Sequence, residues 1–168
     1  MPKTCVTCSE RLKVWRLLAI AASAVVCSAL PARAALGGNF TSVQADQVHM
    51  QASLRTSVGA TYNVHEMQSA SGTVVREYVS SAGESAGKVF AVTWQGPWPP
   101  DLRQLLGSHF EQYMQAAKAK SGGRIGRKPL MIDQPGLVIQ IGGHPRSFTG
   151  RAYVPQMLPS GVRAEDIQ

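Results

Sequence analysis

Every cysteine of this chain lies in its first 34 residues, a segment with the layout of one that is removed. Lys3, Arg11, Lys13 and Arg16 form a basic start, and Leu17 to Leu30 follows without a charge. Pro31-Ala32-Arg33-Ala34 then places small residues, Ala32 and Ala34, where a signal peptidase inspects the chain, ahead of Ala35. This is the pattern of a secretory signal peptide. The apolar run is shorter than the roughly 20 residues a membrane-spanning helix needs, and no later run is as long, so no transmembrane anchor is expected after cleavage. Cleavage would remove Cys5, Cys8 and Cys27. Residues 35–168 must then fold without a disulfide staple or a cysteine-bound metal, and Cys5-Val-Thr-Cys8 has no redox role to play. A chain of that length is one ordinary domain, able to bury about two thirds of its unfolded surface.

Charge narrows the partners. The formal net charge is +7, but five of the 17 Lys and Arg and one of the 10 Asp and Glu precede Ala35, which leaves +3. So mild a balance suits contact with an anionic envelope ligand or an envelope protein and does not argue for nucleic acid.

Along the rest of the chain, Ala35 to Asn39 reads as a flexible start. Ser42 is placed to cap a short helix with Val43, Gln47, Met50 and Leu54 on one stripe. From Tyr62 the periodicity becomes that of strands: Tyr62–Met67, Thr73–Val79 and Lys88–Gln95 read as an antiparallel meander, with turn chemistry at Ser69–Gly72 and Ser80–Gly87. In the third of these strands Phe90, Val92 and Trp94 alternate onto one face. Gly96-Pro97-Trp98-Pro99-Pro100 stops the strand. Asp101 then caps a helix expected to reach about Ala119, with Leu102, Leu105, Leu106, Phe110, Tyr113, Met114 and Ala117 in one apolar stripe, ended by Gly122 and Gly123. Leu130–Ile132, Leu137–Ile141 and Phe148–Val154 read as further strands, before an irregular tail. The expected fold class is α+β: an antiparallel sheet of five to six strands packed on one long amphipathic helix, plus a short N-terminal helix. The helix stripe is expected to cover the face carrying Phe90, Val92 and Trp94.

Several blocks carry a resemblance. Gly72-Thr-Val-Val-Arg-Glu-Tyr-Val79, Val89-Phe-Ala-Val-Thr-Trp-Gln-Gly-Pro97, Asp101-Leu-Arg-Gln-Leu-Leu-Gly107 and Gly150-Arg-Ala-Tyr-Val-Pro155 resemble a family of secreted bacterial proteins catalogued as a domain of unknown function, DUF2844. Ala35-Leu-Gly-Gly38 and Leu158-Pro-Ser-Gly-Val162 fit the same pattern. The resemblance implies an exported, single-domain protein of a Gram-negative bacterium, and it brings no activity, ligand or catalytic residue with it.

Few residues carry a chemical signature. Gly83-Glu-Ser85-Ala-Gly87 matches G-x-S-x-G, whose serine in a hydrolase stands on a sharp turn between strand and helix. Here a strand follows, and a hairpin loop rich in small residues accounts for the match. Asp133 and His144 follow in the order a hydrolase uses, as in any chain with a few Asp and His, and a serine hydrolase at Ser85 would use His144 or His65. His49, His65, His109 and His144 show no metal-ligand spacing, so neither a metal nor another cofactor is expected. Trp94 belongs to the core, whereas Trp98, in a loop, is either a plug over the helix start or an exposed aromatic contact. Arg124, Arg127 and Lys128 crowd a glycine loop that lacks a P-loop ending, and they suit an anionic ligand or an acidic partner. Arg146 and Arg151 flank one hairpin and suit a carboxylate or phosphate, with a cross-strand pair between Arg151 and Glu77 as the plainer alternative. Together these residues describe an exported, non-enzymatic binding or assembly module, periplasmic or secreted. A structural accessory that pairs through an exposed strand edge is the alternative, and a small serine hydrolase at Ser85 comes last.

Overall fold

Asn39 accepts a hydrogen bond from the Ser42 backbone N–H through its side chain, at 3.3 Å, and so caps the first helix one turn before the position expected of Ser42. The computed structural model describes residues 36–121 and 129–168. The capped helix, α1 (Phe40–Met50), ends at Gln51, whose left-handed φ of 48° turns its N–H back onto the carbonyls of Gln47 and Val48. This closure frees the next residues to extend. Seven strands follow: β1 (Ser53–Val58), β2 (Tyr62–Gln68), β3 (Val74–Ser80), β4 (Val89–Gly96), β5 (Leu130–Gln134), β6 (Leu137–His144) and β7 (Ser147–Tyr153). They form one antiparallel sheet in the order β1-β2-β3-β4-β7-β6-β5.

The α+β expectation is therefore corrected: the described fold is mostly β, with more strands than the expected five to six and short helices in place of one long one. The extra strand is β1, which pairs with β2 from Ser53↔Gln68 to Val58↔Asn63. Its residues are almost all exposed, so no apolar alternation marks it as a strand. An edge strand that packs neither face needs none. The long helix fails at Gly107, where α2 (Leu102–Leu106) ends with φ at 49°, a conformation glycine enters at little cost. A 3₁₀ turn over Gly107–His109 then leads into α3 (Phe110–Ser121). Asp101 does cap α2, accepting from the N–H groups of Arg103 and Gln104 at 2.9 and 3.3 Å.

One parity expectation is also corrected. Tyr78 pairs with Ala91 but Val79 pairs with Val89, so Phe90 is an extra residue in β4. Such a bulge switches the face of everything beyond it. Val92 and Trp94 join the core made with α1, α2 and α3, alongside Val43, Leu105, Leu106, Tyr113 and Ala117. Phe90 instead joins Tyr78 and Ile167 in a second core on the other face, packed against Tyr62 and the C-terminal residues Leu158 and Val162. The rings of Tyr62, Tyr78 and Phe90 stand 5.8 to 6.1 Å apart, in tilted and edge-on contacts that aromatic quadrupoles favour. Three helices thus cover one face of the sheet, and the C-terminal segment covers part of the other.

Candidate functional site: a groove on the partly covered face

Antiparallel register lines up one side chain from each of six strands. Glu66 stands opposite Arg76, Arg76 opposite Thr93, Thr93 opposite Arg151, Arg151 opposite Gln140, and Gln140 opposite Met131. Directly paired side chains share a face, so these residues form one row across the sheet, on the side away from the helices. All of the row but Glu66 lines a groove of about 500 Å³ that Ile167 and Gln168 border from the C-terminal segment. That volume lies within the range of small-molecule sites.

The charges in the row are unequally balanced. Arg76 donates through Nε to Glu66 Oε2 at 2.7 Å, which offsets its charge. Arg151 is held by neutral acceptors only: Nε donates to Gln140 Oε1 at 2.9 Å, and Nη1 donates to the carbonyls of Ala164 and Ile167 at 2.7 and 3.4 Å. Among the described residues no carboxylate pairs with it, and its Nη2 has no hydrogen-bond partner. Between the two arginines sits Thr93, 5% exposed, whose Oγ1 also has no partner. A buried hydroxyl without a partner costs about 1–3 kcal/mol, and an uncompensated guanidinium attracts an anion. The groove therefore holds the Arg151 guanidinium without a side-chain carboxylate, above a buried hydroxyl that has no partner, and the terminal Gln168 borders it.

The expected contact with Glu77 does not form, and the reason is topological. Strand β4 separates β3 from β7, and Glu77, next along β3 from Arg76, points to the opposite face. There it is fully buried against Asp46 of α1. Gln104 of α2 donates to Asp46 Oδ1 at 2.5 Å, but apart from the carboxyl–carboxyl contact no donor reaches Asp46 Oδ2 or either Glu77 oxygen. Burial raises the pKa of both acids, most for Glu77; Asp46 further discourages ionisation of Glu77, whereas the hydrogen bond with Glu77 favours ionised Asp46. His65, next to Glu77 on β2, is pushed down by burial, and its Nδ1 lies 2.9 Å from Thr56 Oγ1.

The other singled-out residues do not converge on the groove. Arg146 is exposed at the tip of the β6–β7 hairpin, with a φ of 69°. Trp98 is 60% exposed, and its backbone carbonyl accepts from Thr73 Oγ1 at 2.9 Å, so the ring side is open. Ser85 lies in the loop before β4, where its carbonyl accepts from the Lys88 N–H at 3.0 Å. The turn holding His144 lies at the far end of β4, beside Gly96, and His65 is buried against Thr56, so neither histidine meets Ser85. Among the described residues no three His, Asp or Glu side chains gather as a metal site would require, and no helix is long and apolar enough to cross a membrane. Arg124, Arg127, Lys128, Ala32, Ala34 and Ala35 lie outside the described residues. Arg76, Thr93 and Gln140 were not singled out from the sequence. Each is a polar residue set among apolar ones in its strand, and only the pairing of β4 with β7 brings them together.

No curated protein and no solved structure matches the chain. A family model described as "Protein of unknown function (DUF2844)" matches residues 32–167, and by that match, which spans all of the described sheet, the chain belongs to this family.

Proposed function

We propose that this protein is an exported, non-enzymatic binding module and that its ligand sits in the groove between Arg76 and Arg151. The observation that carries the reading is the pairing of an Arg151 guanidinium lacking a carboxylate with a buried Thr93 hydroxyl lacking any partner. Export rests on the basic start, the uncharged run and the Ala32-Arg33-Ala34 end of the first 34 residues. A ligand at 100 times its Kd adds about 2.7 kcal/mol to the stability of the folded state. Acetate, inorganic phosphate and citrate are the first probes, read by the midpoint of thermal unfolding. At least one should raise the midpoint of the wild type and fail to raise that of Arg151→Ala. Equal responses from both proteins would end the reading. Protein recovered from the periplasm should begin at Ala35 by intact mass; an unprocessed chain retained in the cytoplasm would remove the export half.

The bare edge of β1 supports a second reading, an accessory that pairs with another envelope protein by strand addition. Val58 is 82% exposed there, and only Arg55 interrupts the strand with a charge. Backbone pairing of this kind predicts a cross-linked hetero-complex that survives high salt and is lost in Ser57→Pro. A complex that salt dissolves, or that the proline leaves intact, would set this reading aside.

A further inference from the structure

We infer that α1 is a latch held by a shared proton: it lies on the sheet while Asp46 and Glu77 keep one proton between them, and it lifts away, with both its ends still attached, when that proton is lost. The device lies on the helix-covered face and does not depend on the groove.

The apolar hold on α1 is small. Of its eleven residues only Ser42, Val43 and Asp46 are buried, and of these Val43 alone is apolar. The Ser42 hydroxyl is engaged within the helix start, donating to the Asn39 carbonyl. What remains is polar. Asp46 Oδ1 takes the Gln104 amide, while Asp46 Oδ2 and both Glu77 oxygens have only the facing carboxyl group. Two carboxyl groups bond while one of them is protonated. Two carboxylates shut away from water repel, and each has also lost its hydration. Glu77 is fixed in place, because β3 is paired on both sides, with β2 and with β4. Asp46 rides on a helix that can move.

The flanking segments hold the ends. Before α1, the Leu36 N–H donates to the Leu105 carbonyl at 3.0 Å, the Gly37 N–H to the Val89 carbonyl at 2.8 Å, and the Val89 N–H to the Gly38 carbonyl at 2.8 Å. After it, β1 is paired with β2 along its whole length. Lifting α1 therefore uncovers Met67 and Val75, which share the face of Glu77, without parting the sheet.

The other groups facing the pair act differently. On β2, His65 stands opposite Glu77 with the Phe40 ring of α1 5.0 Å away, and burial lowers its pKa from 6.5. Its protonation favours the lifted helix, so His65 alone would make docking firmer as pH rises, the opposite sense. On β4 the residue opposite Glu77 is Val92, which carries no charge. His49 of α1 lies 3.8 Å from Asp101 at the start of α2, both about half exposed, and both act on Asp46 by charge.

The test is amide hydrogen exchange of the full chain, read by mass spectrometry from pH 5 to pH 9, with exchange times scaled to the intrinsic rate at each pH. Protection of residues 40–50 should fall about tenfold per pH unit wherever the docked pair keeps a proton that the lifted one has released. At the alkaline end these residues should exchange as an unprotected chain does while Val89–Gly96 stays protected. Glu77→Gln should keep α1 protected throughout. His49→Gln should leave the fall in place, and Val43→Ala, which weakens docking without changing charge, should move it to lower pH. Protection of α1 that is constant or rises with pH would overturn the latch. So would a fall that Glu77→Gln retains, one that His49→Gln abolishes, or one that Val43→Ala does not move. Equal protection of α1 and β4 at every pH would show global unfolding in place of a local release, and would overturn it as well.

Discussion

Glu77→Gln is expected to make the protein more stable than the wild type at neutral and alkaline pH, with an advantage that grows as pH rises. Glu77 and Asp46 are both fully buried, and their pKa values are raised from ordinary values of 4.5 and 3.8, both by burial first; contact with Asp46 raises Glu77 further, whereas the hydrogen bond from Glu77 offsets part of the rise at Asp46. The folded state therefore binds protons that the unfolded state has released. Stability from this pair is fully present below about pH 4 and is lost as pH climbs through the raised values of the folded protein. Each retained proton costs about 1.4 kcal/mol per pH unit in that window. A glutamine keeps the shape, carries no charge, and offers Asp46 Oδ2 the donor it lacks. His65 acts in the opposite sense. Its lowered pKa makes its contribution present above about 6.5 and lost as pH falls, and it is common to both proteins. His49 and Asp101, which also act on Asp46, are common to both as well. The decisive quantity is the difference between the two unfolding free energies, from urea titrations at pH 4.5, 6 and 8. A difference that stays constant, or shrinks with rising pH, would show that the pair is ionised in the fold.

Gly150→Ala should be the most damaging small substitution in the sheet. A Cβ at Gly150 would lie 2.2 Å from Trp94 Cζ2, 2.5 Å from Cε2 and 3.0 Å from the Gln140 carbonyl oxygen. Trp94 is 3% exposed and packed among the core residues of the helix-covered face, so the ring has little room to retreat. Overpacking of this kind costs about 3 kcal/mol. Gly142, paired with Thr149 and so one position off the row that carries the ring, serves as the control, because its Cβ would meet only the Thr149 methyl at 4.0 Å. Gly142→Ala should change stability by less than about 0.5 kcal/mol. If the clash with Trp94 is the cause, Trp94→Leu should offset part of the loss in a double-mutant cycle. Additive losses would move the cause elsewhere, and a Gly150→Ala protein as stable as the wild type would refute the packing itself.

Six of the seven strands could be read from the chain because their local chemistry agrees with their tertiary role. Val, Ile, Phe and Tyr alternate or cluster between glycine and proline turns, as at Thr73–Val79 and Leu137–Ile141. What failed was whatever the local pattern does not encode. Strand β1 buries almost nothing, so no periodicity marks it. The apolar stripe from Leu102 to Ala117 is genuine, and Leu105, Leu106, Tyr113 and Ala117 are all buried, but Gly107 breaks the helix that should have carried it. The bulge at Phe90 cannot be seen in β4 alone, because it exists only against the register of β3. Nothing in the sequence brings Asp46 together with Glu77; the two meet, both buried, where α1 packs on the sheet face that Glu77 occupies. For the groove, Arg151 could be singled out from its hairpin, but Thr93 and Arg76 needed a strand order that a single chain does not reveal. Ser85 matched its motif because small residues serve hairpin loops as well as nucleophile turns.

The junction of β4 with β7 has a consequence for how the chain reaches its fold. Strands β1 to β4 form one local meander and β5 to β7 another, and the two meet along a single seam that joins Ala91 to Tyr153 and Gly96 to Phe148. Each meander consists of neighbours in sequence, whereas the seam closes a long loop, and loop-closure entropy makes such contacts late. Until β7 arrives, β4 is an open edge of buried apolar residues, the kind of template that invites pairing with another chain. Thr93 and Arg151 face each other across that seam, so the groove is completed by the slowest pairing in the sheet. A ligand in it would act as a clasp between the two halves, slowing their separation and shielding the β4 edge from aggregation during assembly.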